Sequence, residues 1–338
     1  MLSSGSRVNK QLPTQQLSNQ QLSSESQSSG SALTEPLLTE PQLTEPLLTE
    51  PLLRVTDLAV DYKRRRTVAR VVENVSFDIV EGETLGLVGE SGSGKSTIGN
   101  VVLGLVPAAA GAVIFDGEDI THASPKRRRE LTSDIQVVFQ DPYGSLNPAR
   151  SIGATLAESL VASDATLTRK EVTARVHESL DTVGMVASVA QRFPTEFSGG
   201  QRQRIAIARA LIVRPRLVVC DEAVSALDLS IQAQVLNLLD RLRRERSLSY
   251  LFISHDIAVI GHLSDHIAVL DRGRIVETGT TAEVIDHPQD AYTRLLLAAA
   301  PVPDPAAQKK RREAFRTQRA EYLASTGAVT GLVSTTRL

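Results

Sequence analysis

The chain has 338 residues, 41% hydrophobic and 22% charged, which is ordinary for a soluble globular protein with a sizeable core. Its formal net charge of -2 argues against a protein that binds nucleic acid through bulk charge. Cys220 is the single cysteine, which excludes an internal disulfide and a cysteine-based zinc or iron–sulfur site and indicates a cytoplasmic protein.

Residues 1–51 are predicted to form a linker rather than a folded domain. Residues 1–32 are dominated by Ser, Gln and Asn and contain too few apolar residues to form a folded core. They also lack the apolar core of a secretory signal. Leu-Thr-Glu-Pro then recurs at Leu33, Leu38, Leu43 and Leu48. The proline of each repeat prevents a regular helix, so an extended linker is favoured over a docking motif. No apolar run reaches the ~20 residues that cross a bilayer, so a partner must supply any membrane role.

From residue 53 onward the chain alternates short apolar runs with segments of helical periodicity. The predicted strands are 53–62, 76–80, 84–88, 113–115, 135–139, 217–220, 250–253, 267–270 and 274–277. Helical spacing covers 98–105, 151–184 and 231–246, and residues 308–323 form a basic, helix-compatible tail. Turns are predicted at 81–82 and 271–273. This alternation indicates an α/β fold with a parallel sheet. The charge runs at 63–66, 126–129 and 309–312 are interpreted as solvated faces.

A glycine-rich loop lies between the predicted strand 84–88 and the predicted helix 98–105. It consists of Gly89, Glu90, Ser91, Gly92, Ser93, Gly94, Lys95, Ser96 and Thr97. Glycines let backbone amides surround phosphate oxygens, and the helix that follows directs its positive end to the same anion. Lys95 would bind the β- and γ-phosphates, and the Ser96 hydroxyl would bind Mg²⁺. The loop therefore predicts a site for ATP and Mg²⁺.

Two carboxylates, Asp221 and Glu222, follow the apolar run 217–220. Asp221 is predicted to hold Mg²⁺ directly or through water, and Glu222 to accept a proton from the attacking water. A surface Asp-Glu pair that only ends a strand is the alternative, and the phosphate loop makes it less favoured. Cys220 is predicted to be a small buried side chain.

Together these motifs resemble the ATP-binding subunit of an ATP-binding cassette (ABC) transporter over about residues 53–303. The signature that grips the nucleotide from the opposite subunit is matched by Phe197, Ser198, Gly199, Gly200 and Gln201, with Phe197 in place of the usual leucine. The segment that crosses between the two cassettes is matched by Ser225, Ala226, Leu227 and Asp228. Ala223 stands where the family commonly has proline.

The same resemblance implies roles for three further side chains. Gln140 matches the glutamine that senses Mg²⁺ and water and opens the loop to the membrane subunit. His255 matches the histidine that reaches the γ-phosphate, and Tyr62 lies about where an aromatic stacks on adenine. Alone, His255 could be structural, Gln140 a strand-end amide and Ser198 only a helix cap. The joint order of the motifs favours the functional interpretation. The other histidines are interpreted as structural: His122, His177, His262, His266 and His287.

Residues 139–148 are similar to a segment of subunits that serve oligopeptide, dipeptide and nickel importers, as are 287–288, 292–296 and 301–305. The resemblance implies a P-loop NTPase of the ABC type at 52–302, with a parallel-sheet core, an antiparallel β-subdomain and a helical subdomain at about 141–212. A Pro-rich and then basic tail would occupy 303–338.

The implied function is ATP hydrolysis that powers uptake of peptides or a related small solute, at the cytoplasmic face of the plasma membrane. The implied partners are a second cassette, identical or a sister chain, two transmembrane permease subunits and, indirectly, an external solute-binding protein, with no nucleic acid. Two alternatives are disfavoured. A soluble cassette protein acting on ribosomes usually carries two cassettes in one chain, and this sequence has one phosphate loop. A chromosome or DNA-repair ATPase would need a long heptad-patterned insertion between Lys95 and Asp221, and the sequence has none. An exporter subunit is the nearest alternative, and residues 141–148 disfavour it.

Overall fold

The computed structural model describes residues 50–64, 67–141 and 144–300, together with Phe315, Arg316, Gln318, Arg319 and Tyr322. The chain divides into two compact units, residues 1–47 and 48–338, and the described residues all belong to the second unit. The predictions made for residues 1–49, and most of those for 301–338, lie outside the described residues.

The described strands form two sheets. They are β1 (Leu53–Arg64), β2 (Thr67–Ile79), β3 (Thr84–Val88), β4 (Ala110–Phe115), β5 (Glu118–Asp119), β6 (Ile135–Val138), β7 (Leu217–Asp221), β8 (Ser249–Ser254), β9 (His266–Asp271) and β10 (Arg274–Thr280). The larger sheet has the order β10-β9-β3-β8-β7-β6 and is parallel except for the β9–β10 hairpin. The smaller sheet, β2-β1-β4-β5, is antiparallel.

The helices cover the larger sheet. They are α1 (Lys95–Val102), α2 (Pro125–Leu131), α3 (Ile152–Ser163), α4 (Arg169–Thr182), α5 (Gly199–Leu211), α6 (Leu229–Arg246), α7 (Ile257–Leu263), α8 (Thr281–Asp286) and α9 (Ala291–Ala299). Within the described ranges, none of them has both the length and the apolar content needed to span a membrane.

Side chains of the larger sheet alternate between two cores. In β7, Val218 and Cys220 pack with the buried side chains of α3 to α7, whereas Leu217 and Val219 pack with α1 and the antiparallel sheet. Burial on both faces explains why the central strands are continuous apolar runs rather than alternating ones. The predicted fold class, a parallel core with an antiparallel sheet and helices, is confirmed.

The segment 151–184, predicted from one helical periodicity, is two helices. Asp164 accepts hydrogen bonds from the amide and hydroxyl of Thr166, which turns the chain after α3. Thr168 then caps α4, and the Thr168 amide donates to the Glu171 carboxylate at 2.7 Å. The sequence periodicity did not separate the helices because apolar side chains continue at helical spacing on both sides of this turn.

The interpretation of residues 126–129 as a solvated face is wrong for Arg128. Its guanidinium is half-buried and donates to the carbonyl of Val102, at the end of α1, at 3.0 Å and also to the carbonyl of Ile120. Burial lowers the pKa of Arg128. Helix C-termini leave carbonyls without intrahelical donors, so Arg128 stabilises the end of the helix that begins at the phosphate loop.

We expect Arg128→Ala to lower the free energy of unfolding by about 1–3 kcal/mol, because two partly buried carbonyls lose a charged donor. Urea or thermal denaturation of the full chain measures the loss. Arg129→Ala removes the exposed neighbour and should change the free energy by less than ~0.5 kcal/mol. Equal losses in the two variants would contradict the special role of Arg128.

Candidate functional site

Neighbouring parallel strands of the larger sheet end at one edge. The register pairs near this edge are Val88 with Ser254, Ile253 with Asp221, and Cys220 with Val138. Residues that follow the carboxyl ends of parallel strands lie side by side, and ligands bind there in open α/β sheets. The edge therefore brings together the phosphate loop after β3, His255 after β8, Asp221 and Glu222 at the end of β7, and Gln140 after β6.

The phosphate loop closes around the side chain of Lys95. Gly94 has φ of 109°, a left-handed conformation that lets the chain enter α1 directly. Lys95 is 4% exposed, and its ammonium donates to the carbonyls of Gly89 and Glu90, each at 2.8 Å. Burial lowers the pKa of Lys95. A desolvated ammonium in a ring of backbone groups is a strong site for an anion.

Ser93 adds a second polar group inside the loop. Its Oγ atom is buried and has no hydrogen-bond partner among the described residues. The Ser93 carbonyl accepts a hydrogen bond from the amide of Gly273 at 2.9 Å, which ties the loop to the β9–β10 hairpin. A buried hydroxyl without a partner carries a free-energy cost that a phosphate oxygen would relieve.

Ser96 and Asp221 meet directly at the edge of the sheet. The Ser96 hydroxyl donates to Asp221 Oδ1 at 2.8 Å. Burial raises the pKa of Asp221, and the hydrogen bond from Ser96 partly opposes that rise. A hydroxyl and a carboxylate are the hard oxygen ligands that Mg²⁺ takes beside phosphate oxygens, so these residues fit that ion.

Glu222 and His255 form the second pair. His255 Nδ1 lies 3.4 Å from Glu222 Oε2, with 51% of the histidine side chain and 15% of the glutamate side chain exposed. Glu222 has φ of 49°, which is uncommon for a residue with a side chain, and its amide donates to the Ile253 carbonyl at 3.0 Å. The amide and hydroxyl of Ser225 donate to the Glu222 carbonyl. These bonds hold the Glu222 backbone in this uncommon conformation.

The segment 198–201 forms the N-terminus of α5. The Gln201 amide donates to Ser198 Oγ at 3.4 Å, and the Ser198 amide donates to Gln201 Oε1 at 3.0 Å. Gly200 packs so closely on α6 that a Cβ atom there would lie 2.3 Å from Ile231 Cγ2. Ile231 in turn donates its amide to Asp228, the cap of α6, at 3.0 Å. Gly200 therefore lies against the first turn of α6, which directly follows segment 225–228, and Ser198 and Gln201 are exposed.

Gln140 and Tyr62 are exposed side chains, and their roles stay predictions. Gln140 follows β6 by two residues, and Tyr62 pairs with Ala69 across β1 and β2. Sequence reasoning overlooked an apolar groove beside Gln140. Its lining includes the exposed side chains of Leu105 and Phe139. Residue 139 was predicted as part of a strand, and nothing in an apolar strand end indicates that the ring faces solvent.

The chain is similar in sequence to known ATP-binding proteins of transporters. The ABC transporter family model matches residues 72–225. The chain is 49% identical over 242 residues to the oligopeptide transport ATP-binding protein OppF of Escherichia coli (strain K12), covering 72% of each chain. It is 52% identical over 241 residues to the glutathione import ATP-binding protein GsiA of Escherichia coli O157:H7, covering 71% of this chain and 38% of GsiA.

A solved structure supports the same relationship. The dimeric post-hydrolysis state of the ATP-binding cassette MJ0796 bound to ADP and Pi matches with a TM-score of 0.62 at 27% identity, covering 68% of this chain and 98% of that chain.

We expect Asp221→Asn to stabilise the nucleotide-free protein at pH 7. A raised pKa means that the ionised carboxylate is less favourable in the folded chain than in the unfolded one. Stability therefore falls as the pH rises from the pKa of Asp221 in the unfolded chain to its higher pKa in the folded chain. Neutral asparagine removes this cost, and the melting temperature should rise by a few degrees. The difference from wild type should shrink as pH falls toward ~4.

Asp116→Asn provides a control of opposite sign. The hydrogen bond from Arg216 lowers the pKa of Asp116, so its ionised form favours folding above the unfolded pKa and the benefit disappears as pH falls. This variant should melt at or slightly below the wild-type temperature at pH 7. A lower melting temperature for Asp221→Asn would contradict the burial argument.

Proposed function

We propose that this chain, which belongs to the ABC transporter family as the ATP-hydrolysing subunit of an importer, powers uptake of peptides or a related small solute. The relatives OppF and GsiA carry oligopeptide transport and glutathione import in their names, which supports a peptide-type solute. The observation that carries the ATPase assignment of individual residues is the meeting of Lys95, the Ser96–Asp221 pair and the Glu222–His255 pair at one sheet edge.

In the proposed mechanism, the phosphate loop holds ATP, with Gly89, Glu90, Ser91, Gly92, Ser93, Gly94, Lys95, Ser96 and Thr97 around the phosphates and Tyr62 on adenine. A water oxygen attacks the γ-phosphorus while the bond from phosphorus to the ADP oxygen breaks. Glu222 accepts the water proton, and the products are ADP, inorganic phosphate and that proton. Lys95 and His255 stabilise the charge that develops on the γ-phosphoryl oxygens.

Ser96, Asp221 and Gln140 would hold Mg²⁺, which supplies positive charge to the β- and γ-phosphate oxygens when bound.

A second cassette, identical or a sister chain, is proposed to complete each site. Ser198 and Gln201 are exposed at the N-terminus of α5, which supports a role for Ser198, Gly199, Gly200 and Gln201 in binding the nucleotide of a partner. Ser225, Ala226, Leu227 and Asp228 would line the same interface. Leu229 follows them with 84% of its surface exposed, and burial against a partner would stabilise such an apolar side chain.

Two permease subunits are proposed as the membrane partners, with an external solute-binding protein acting through them. The apolar groove beside Gln140 is suited to an apolar segment of a permease, and Phe139 in its lining directly precedes Gln140. The location proposed with these partners is the cytoplasmic face of the plasma membrane, where the chain would be a peripheral subunit.

We expect Glu222→Gln to bind ATP, trap a closed dimer and hydrolyse ATP at least about 100-fold more slowly, because glutamine cannot accept the water proton. Light scattering with and without ATP, with the sister chain supplied where one is needed, measures the dimer. Lys95→Ala should weaken ATP binding and give no dimer. The double variant with Ser198→Arg and Glu222→Gln should bind ATP but remain a monomer, because Ser198 is proposed to contact the nucleotide of the partner. Unreduced hydrolysis by Glu222→Gln would contradict the base assignment.

Uptake tests the importer assignment separately. Cells of the source organism that lack this chain should accumulate a labelled tripeptide poorly, and wild-type protein should restore uptake. Glu222→Gln should fail to restore it at equal abundance. Normal tripeptide and glutathione uptake in cells without the chain would contradict a peptide-type solute while leaving the ATPase assignment in place.

A further inference from the structure

Tyr292 of α9 reaches the phosphate loop through its hydroxyl group. The amide of Glu90 donates to Tyr292 Oη at 2.8 Å, across 202 residues of sequence. The carbonyl of the same peptide unit belongs to Gly89 and accepts the Lys95 ammonium at 2.8 Å. One peptide unit of the loop is therefore fixed on both sides, by a residue of the loop and by a residue far along the chain.

Tyr322, in the C-terminal region, packs directly on Tyr292. The two ring centroids lie 5.6 Å apart with the planes inclined at 39°. The Tyr322 hydroxyl donates to the carboxylate of Asp271, and the Arg272 guanidinium carbon lies 5.8 Å from the Tyr322 ring centroid. Both tyrosines are buried, and burial raises the pKa of Tyr292 to about 12, so its hydroxyl keeps its proton at neutral pH.

The hairpin that Tyr322 contacts is itself a support of the phosphate loop. Gly273, two residues after Asp271, donates its amide to the Ser93 carbonyl at 2.9 Å. Tyr322 therefore touches both structures that hold the loop from behind, namely α9 and the β9–β10 hairpin.

We infer that Tyr292 is a positioning residue for ATP binding, and that Tyr322 holds Tyr292 in place against the phosphate loop. The inference rests on the proposed role of this loop as the ATP site. When Lys95 binds phosphate oxygens, it must share its protons between them and the Gly89 carbonyl. The hydroxyl of Tyr292 then fixes the orientation of the Gly89–Glu90 peptide. Without this hydrogen bond the peptide could rotate, and the neighbouring loop amides would lose their alignment toward the phosphates.

Tyr292→Phe tests this role because it removes one oxygen and keeps the ring. Full-length protein is titrated with MgATP by calorimetry, and KM and kcat for ATP hydrolysis are measured separately. The loss of one hydrogen bond should raise the Kd and the KM for ATP about fivefold, with kcat at saturating ATP within about twofold of wild type. Tyr322→Ala should raise both constants, and by a smaller factor in the Tyr292→Phe background than in wild type.

Tyr250→Phe is the matched control. Its hydroxyl is also buried and donates to the Leu239 carbonyl at 3.3 Å, away from the phosphate loop. That variant should lower the melting temperature and leave the Kd for ATP unchanged. A Tyr292→Phe protein with unchanged Kd and KM, or with only a lower kcat and melting temperature, would overturn the positioning role.

Lys95→Ala distinguishes a failure of the role inferred for Tyr292 from a failure of the proposed ATP site. If Lys95→Ala weakens ATP binding and Tyr292→Phe does not, the inference about Tyr292 is wrong and the proposed ATP site stands. If Lys95→Ala binds ATP as well as wild type does, the loop is not the ATP site and the inference fails with it.

Discussion

The parallel register of β3, β8, β7 and β6 is the constraint on which the site depends. Each strand leads to one or two of the chemical groups, and these groups are spread along the chain from residue 89 to residue 255. They meet because parallel strands that pair in this register must end at the same edge. Burial of both faces of the sheet sets that register, since a slip by one residue would exchange the side chains that face its two cores. The packing of the core therefore determines the geometry of the site.

Burial raises the free energy of the charges at this edge. It lowers the pKa of Lys95 and raises that of Asp221, so the ionised form of each is less favourable here than in water. Lys95 bonds to carbonyls and Asp221 to a hydroxyl, and the attraction between their opposite charges offsets only part of the effect of burial on their pKa values. Both fit a ligand that brings phosphate and a divalent cation together. Such a ligand would supply the opposite charges that the two buried groups lack.

Two side chains outside the sequence motifs support this arrangement from behind. Arg128 donates to the Val102 carbonyl at the end of α1, and Tyr292 accepts from the amide of Glu90 in the loop where α1 begins. Both act on backbone groups, which every residue type except proline would present at the contacted position. That explains why neither role leaves a sequence pattern of its own. Loop and helix are consequently held at both ends by residues from distant parts of the chain.

The amino-acid sequence by itself determined the α/β class, the strand that leads into the phosphate loop and the residue types of the site, because these follow from local periodicity and from glycine and charge spacing. The tertiary structure decided that 151–184 is two helices, that Arg128 is half-buried and that Tyr292 contacts Glu90. Each of these depends on which distant backbone groups lie nearby. A local pattern reports how a residue can behave, whereas its hydrogen-bond partner is fixed only when the sheet and helices have packed.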